Sequence, residues 1–315
     1  MNQRRLMIVA AAVCMVTASM AAPAQDKVTL KLNLAAGKQY HMAMTSDQDV
    51  IQSMRGMDTH VIQTIGMGMI NHVERVDDDG LMHIKMTYDW VVFNQKGPGI
   101  QTSYDSRTDK DNVPLMAQGF AGLVGEGFQM QLRPDGSVAK FIGTDQILKA
   151  VMAKSTMPPG PMRDKIDQAL QKQFNDQTLR ENMEKMTRIF PGHPVGVGDT
   201  WSRRQEIRVG LQAAMNTTWT LKKLDHGRAT IESNSTVQPL ADAEPIDMGV
   251  MKMTMKLAGT QYGEMIIDIT DGWMRQASVV QDLKGDMVMT SDQLPQPIQM
   301  PIQIKGNTKI TGEVK

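Results

Sequence analysis

Apolar and polar residues alternate with a period of two over most of the chain. Met82, Ile84, Met86, Tyr88 and Trp90 fall on one side of an extended segment, and His83, Lys85, Thr87 and Asp89 on the other. That is the pattern of a strand with one dry and one wet face. Met251, Met253, Met255 and Leu257 alternate with Lys252, Thr254 and Lys256 in the same way, and Ile207, Val209 and Leu211 alternate with Glu206, Arg208 and Gly210. Tyr40, Met42 and Met44 open a further strand, and Met287 with Met289 marks another. The turn signals lie between such runs: Asp77-Asp78-Asp79-Gly80, Asp135-Gly136 and Asp271-Gly272. Asp-Gly favours the positive backbone angles of tight hairpins, so the sheet is expected to be antiparallel.

One region breaks the period. Thr144 to Ser155 reads as a helix with Ile147, Leu148 and Val151 on one side and Thr144 as its cap. After Pro158-Pro159-Gly160-Pro161, the residues Met162, Ile166, Ala169, Leu170 and Phe174 recur at helical spacing. Leu179, Met183, Met186 and Phe190 continue until Pro191. A shorter helix is predicted from Pro114 to Gly125. A single sheet with a dry face needs a cover. The expected fold is therefore mainly β with a helical insert (α+β): a large curved antiparallel sheet, up to a half barrel, with helices from about 144 to 190 on its concave face.

The two sides of that insert share landmarks. Gly37-Lys38-Gln39-Tyr40 and Gly198-Asp199-Thr200-Trp201 each open a long strand. Val73–Ile84 and Leu221–Ile231 each read as strand, Asp/Gly turn, strand. The Asp135-Gly136 and Asp271-Gly272 hairpins follow. Two explanations stand: a duplication, about 25–143 and 191–315 with 144–190 as connection, or the recurrence of common antiparallel devices.

The amino terminus changes the picture. Arg4 and Arg5 precede the apolar run Leu6–Val16, and Ala22-Pro23-Ala24 places small residues where a signal peptidase reads. Residues 1–24 are read as a cleavable signal peptide, cut after Ala24, with a single β-rich domain from 25 to 315 in the periplasm or secreted. The apolar run is shorter than the about 20 residues of a membrane span, so no transmembrane segment is expected in the mature chain. Arg4-Arg5 leaves general and twin-arginine export both open. Removing the signal takes away Cys14, the only cysteine, and leaves 32 basic and 34 acidic residues. No disulfide and no nucleic-acid partner are expected from that balance.

Candidate chemistry is sparse. Ser137-Val138-Ala139-Lys140 matches Ser-x-x-Lys, yet three residues apart on a strand means opposite faces. The histidines lack zinc-protease spacing. Asp105, Asp109, Asp111 and Asn112 form an acidic loop without the Gly and Glu of a standard calcium loop. Asp77 to Asp79 are read as turn formers rather than catalytic carboxylates. No catalytic residue, metal site or cofactor is assigned, and a non-catalytic protein is expected.

The unusual feature is methionine: 29 in the chain, against 4% aromatic residues. Flexible thioethers fill irregular space and adapt to varied partners. Three readings follow: plain core, an adaptable lining for an apolar ligand, or copper(I) coordination by pairs such as Met42/Met44, Met67/Met69 and Met253/Met255. The expected lining comprises Met42, Met44, Met82, Met86, Met251, Met253 and Met255 from the sheet, with Ile166, Leu170, Phe174 and Met183 from the helices. The partner so implied is an apolar small molecule or lipid. The alternative is an envelope protein docking on a structural molecule whose core is fully packed.

The Gly37–Tyr40 opening, Tyr104-Asp105-Ser106, the Phe128–Gly143 hairpin and Pro191–Trp201 occur in an order that resembles a family of exported bacterial proteins known as a domain of unknown function. That resemblance implies no activity and no catalytic residues. A curved antiparallel sheet carrying helices on its concave side is also similar, at the level of fold, to periplasmic lipoprotein carriers.

Overall fold

The computed structural model describes residues 27–315 apart from 55, 110–111, 155–159, 161–162, 165–166, 169–170, 172–174, 209–211, 248–250 and 292–294. The predicted signal peptide with Cys14, and the predicted contributors Ile166, Leu170, Phe174, Val209 and Leu211, lie outside the described residues.

Thirteen strands form one open antiparallel sheet. They are β1 Gln39–Met54, β2 Met57–Val76, β3 Met82–Gly97, β4 Ile100–Asp105, β5 Gly127–Leu132, β6 Val138–Ile142, β7 Thr200–Ile207, β8 Ala213–Asp225, β9 Arg228–Pro239, β10 Ile246–Asp247, β11 Lys252–Asp268, β12 Met274–Thr290 and β13 Ile298–Val314. The order is β6-β5-β3-β2-β1-β13-β12-β11-β9-β8-β7, with β4 beside β3 and β10 beside β11. Each half is a meander, and β13 joins them by pairing with both β12 and β1. Three helices are described: α1 Gln118–Ala121, α2 Thr144–Lys154 and α3 Asp176–Thr187.

The shared landmarks of the two halves have the same backbone form. Gly37 N donates to Val73 O and Val73 N to Lys38 O; Gly198 N donates to Leu221 O and Leu221 N to Asp199 O. Gly37 and Gly198 both take positive φ, 78° and 93°, which a side chain would oppose.

A bulge corrects one expectation. Met69 pairs with Tyr88 and Gly68 with Trp90, so Asp89 is an extra residue in β3. The dry face runs Met82, Ile84, Met86, Tyr88 and then Val91 and Phe93. Trp90 is thereby turned to the opposite face, where the Arg107 guanidinium lies 4.5 Å from its ring centre. Strict alternation would have put it with Met82.

The dry face carries three apolar clusters. The largest gathers Leu30, Leu32, Leu34, Tyr40, Ile84, Phe128, Phe141, Trp201, Trp219, Leu221, Ile231 and Trp273 from both halves. A second lies toward the other end of the strands and comes from strands alone: Leu257, Leu283, Met287, Met300 and Ile302, flanked by Met253, Met255 and Met289. The third packs Val91, Phe93 and Tyr104 under Ala117 and Ala121.

Between the first two clusters the same face turns polar, and the polar groups satisfy one another. Thr217 and Ser235 share a 2.8 Å hydrogen bond, Gln261 donates to Gln281 at 2.9 Å, and Thr308 donates to Ser46 at 2.9 Å. Cross-strand register aligns them: Thr217 opposite Ser235, Gln261 opposite Gln281 and Ser46 opposite Thr308. Buried hydroxyls persist in such a place because each finds a partner.

Two helical details also depart from expectation. The predicted 114–125 helix is a short 3-10 turn, Leu115–Ala117, followed by the single turn of α1. α2 packs against α1 and β5. Thr144 is not a free cap: its backbone N–H and its hydroxyl both donate to the Asp176 carboxylate at the start of α3.

Candidate functional site

α3 holds the site together. Asn175 caps it by accepting from Thr178 N at 3.0 Å, and Leu179, Met183 and the following Ile189 and Phe190 press on the main cluster. One flank of α3 meets the β5–β6 hairpin. Arg180 donates to Val138 O, Glu184 accepts from Val138 N, and Thr187 Oγ1 donates to Gly136 O at 2.6 Å. Gly136 is needed for this approach, since a Cβ there would fall 2.1 Å from Thr187 O. The other flank meets β7. Trp201 Nε1 donates to Ile189 O at 2.8 Å, Gln205 Nε2 to Lys185 O at 3.0 Å, and Arg203 to Arg188 O. Residues 201, 203 and 205 share one face of β7, so one strand satisfies carbonyls that the end of a helix leaves open. β6 and β7 are the two ends of the sheet. α3 therefore spans the gap between them.

Beneath α3 lies a cavity of about 290 Å³. β1 contributes Met42 and Met44, β2 Met67 and Met69, β3 Ile84, Met86 and Tyr88, β5 Phe128 and Met130, and α3 Met183 and Met186. Leu32, Leu34, Phe190, Ile267, Trp273 and Ile310 complete much of the wall. Register explains the methionine ring: Met42 is opposite Met69, and Met44 is opposite both Met67 and Ile310. The polar belt begins one pleat beyond, at Ser46 and Thr308.

Two polar side chains of the wall are already engaged. Asn71 Nδ2 donates to Tyr40 O at 3.1 Å, and the Thr187 hydroxyl bonds Gly136 O. Trp273 Nε1 is a buried donor without a partner among the described residues. Burial pushes the Tyr88 phenol above its ordinary pKa, so it stays neutral. A wall of this kind attracts a guest through dispersion and desolvation.

Four predicted lining residues meet here: Met42, Met44, Met86 and Met183. Met82 is buried in the adjoining core, where its sulfur accepts from Leu34 N at 3.4 Å. Met253 and Met255 belong to the second cluster, and Met251 immediately precedes β11, half-buried. Met67, Met69, Met130 and Met186 join the lining in addition. The spacing of Met67 and Met69 was a visible signal, but only their pairing with Met44 and Met42 puts them in the wall.

On the other side of α3 a cleft of about 400 Å³ runs between the helix and β7. Its walls include Arg180, Lys185, Arg188, Arg203, Arg204 and Arg208 together with Glu181, Glu184 and Glu206. Most of the cations are matched: Arg188 to Glu184 at 3.0 Å, Arg208 to Glu206 at 2.8 Å and to Asp242 at 3.2 Å. Burial, and then the neighbouring Arg188, depress the Arg203 pKa. Burial likewise lowers that of Lys185.

The remaining chemistry resolves into turns and pairs. Ser137 Oγ donates to Asp135 at 2.6 Å within its hairpin turn. Asp77 accepts from His83 at 2.8 Å and from Arg75 at 2.7 Å, and the His83 bond in particular holds its carboxyl below the usual range. Asp105 pairs with Arg107 at 2.7 Å. No group of three or more His, Cys, Asp or Glu side chains gathers as a metal site among the described residues. Among the same residues, no helix is long and apolar enough to cross a membrane.

Comparison with known proteins places the chain in a family. It belongs to the family of unknown function DUF6263, whose model matches residues 79–274. No curated protein matches it. Among solved structures it is similar to a chain described under lipid–protein interactions in lipovitellin: 9% identity, TM-score 0.48, with 89% of this chain and 26% of that chain covered. It also aligns with Salmonella typhi OmpF in complex with daunomycin, at 8% identity and TM-score 0.21, covering 88% of this chain and 98% of that one. Neither score reaches 0.5. The chain spans about a quarter of the lipovitellin chain.

Proposed function

We propose that this member of a family of unknown function is a non-catalytic binding or carrier protein for an apolar, lipid-like ligand, working outside the cytoplasm after removal of residues 1–24. The cavity beneath α3 carries the reading. At about 290 Å³ it lies at the lower end of the range for small-molecule sites. Its walls are flexible thioethers and aromatic rings, and the Asn71 and Thr187 side chains are spent on the protein itself. Methionine suits a site that must fit chains of varied shape.

α3 also supplies a route in. Along its two flanks it meets β6 and β7 through side-chain hydrogen bonds each worth roughly 1 kcal/mol. Met186, 58% exposed, stands at the rim of the cavity.

The test is purification of the full chain from its native host, followed by organic extraction and mass spectrometry. An apolar molecule recovered in near-stoichiometric amount is the expected result. A protein that emerges empty and fails to take up a naphthalene-type fluorescent probe overturns the proposal.

A further inference from the structure

The cavity and the cationic cleft are two sides of one helix. Along its last turns α3 gives Met183, Met186 and Thr187 to the cavity and Glu184 and Lys185 to the cleft, which Arg188, just past its end, also lines. A helix with its side chains is about 10 Å across, so the two spaces lie within the length of one extended lipid chain.

The cleft is a built feature with charge to spare. Six cationic side chains line it against three acidic ones. The carboxylates of Glu184, Glu206 and Asp242 are each taken by an arginine. Lys185 and Arg203 are left without a carboxylate within 4.0 Å among the described residues. Among the described residues the Lys185 ammonium reaches Asn182 Oδ1 at 3.2 Å, and the Arg203 guanidinium reaches the Arg188 carbonyl. Both side chains are half-buried and feel their burial as a depressed pKa. Glu181 and Glu206 act on Lys185, and Asp135 and Glu184 on Arg203, only from beyond contact distance. A half-buried cation with no carboxylate in contact is relieved by an anion, through short charge-assisted hydrogen bonds. Arginine presents a planar fork suited to phosphate or carboxylate oxygens.

We infer that the ligand is an amphiphile with an anionic headgroup, its chain in the methionine cavity and its phosphate or carboxylate on Lys185 and Arg203 in the cleft between α3 and β7. This rests on the carrier reading and adds the headgroup to it. The cavity alone would accept any apolar chain of suitable length. The cleft discriminates among them by charge, and α3 is the element that both halves of the ligand touch.

Calorimetric titration of the full chain with decyl phosphate, decanol and inorganic phosphate tests the inference. The expected result is that decyl phosphate binds at least about tenfold more tightly than decanol, a difference of one good charged contact. Lys185→Gln with Arg203→Gln, which keeps donors but removes charge, brings decyl phosphate down to the affinity of decanol and leaves decanol unchanged. Raising salt to about 0.5 M shrinks the same gap. Equal affinities of the two chains in the unaltered protein overturn the headgroup assignment and leave the carrier reading standing. Failure of both chains to bind overturns the carrier reading and the inference with it. Inorganic phosphate binding as tightly as decyl phosphate makes the cleft a free-anion site and overturns the amphiphile.

Discussion

Two groups of methionines stand on the same face of the same sheet and have different surroundings. Met42, Met44, Met67, Met69 and Met86 line a cavity roofed by α3. Met253, Met255, Met287, Met289 and Met300 interlock with Leu257, Leu283 and Ile302, and no helix contributes to that cluster among the described residues. Period-two alternation assigns both groups to the dry face equally well. What separates them is the tertiary element above: a helix that bridges two strand edges leaves space below it, whereas neighbouring strands close against one another. The polar belt of Thr217–Ser235, Gln261–Gln281 and Ser46–Thr308 marks the border.

The contrast is open to test by substitution. Leu257, buried in the second cluster, has the largest expected effect: Leu257→Ala should lower unfolding free energy by about 3 kcal/mol in urea titration. Uptake of a cavity probe should be unaffected, and a parallel loss of uptake would mean that the two clusters are one unit. Met44→Phe with Met67→Phe should act in the opposite sense. The larger rings fill space, so probe binding drops by at least about tenfold while stability moves by less than about 1.5 kcal/mol. A stability loss as large as that of Leu257→Ala would show a packed core where the cavity is described.

The border itself comes next. Thr217→Val strands the Ser235 hydroxyl and should cost about 1–2 kcal/mol, with part of it regained when Ser235→Ala is added. Gln205→Leu should cost about 1 kcal/mol by freeing Lys185 O, and should speed probe entry in stopped-flow mixing if α3 is the moving part. The smallest effect is expected outside both clusters, at Asp77. Its carboxyl is held below the ordinary value, chiefly by the hydrogen bond from His83. The stability it gives is complete above the ordinary Asp pKa near 3.9 and is lost as pH falls through the lowered folded value. Asp77→Asn should therefore lower stability slightly at neutral pH, where the contribution is complete, converge with the unaltered protein in acid, and so flatten the acid limb of the stability profile.

Much of the sheet was legible because strand periodicity is a local property. Tyr40, Met42 and Met44, the Met82–Met86 run and the hairpins at Asp135-Gly136 and Asp271-Gly272 needed no knowledge of partners. Trp90 was misassigned because one extra backbone residue, Asp89, reverses every side chain after it, and no composition signal marks that position. The site was half legible for a related reason. Met42, Met44, Met86 and Met183 were chosen for their faces, which sequence gives. Met253 and Met255 were grouped with them because sequence does not say how far along a strand, about 55 Å for seventeen residues, two side chains lie from a common roof. The cleft was invisible at that level, since Lys185 and Arg203 come from elements that only the bridging of the sheet's two ends by α3 brings together.

That bridging also bears on how the molecule avoids its own kind. A strand at the end of a sheet offers unpaired backbone groups to any passing strand, and proteins blunt such ends with cover or charge. Here Arg180 and Glu184 of the bridging helix occupy the carbonyl and the N–H of Val138, while Arg203 and Arg204 put two positive charges along β7. Under the carrier proposal, a helix that swung out far enough to admit a guest would uncover a polymerisation surface at the same moment. Guest entry and self-association would then be coupled through the same helix, and the open form is the one expected to aggregate first.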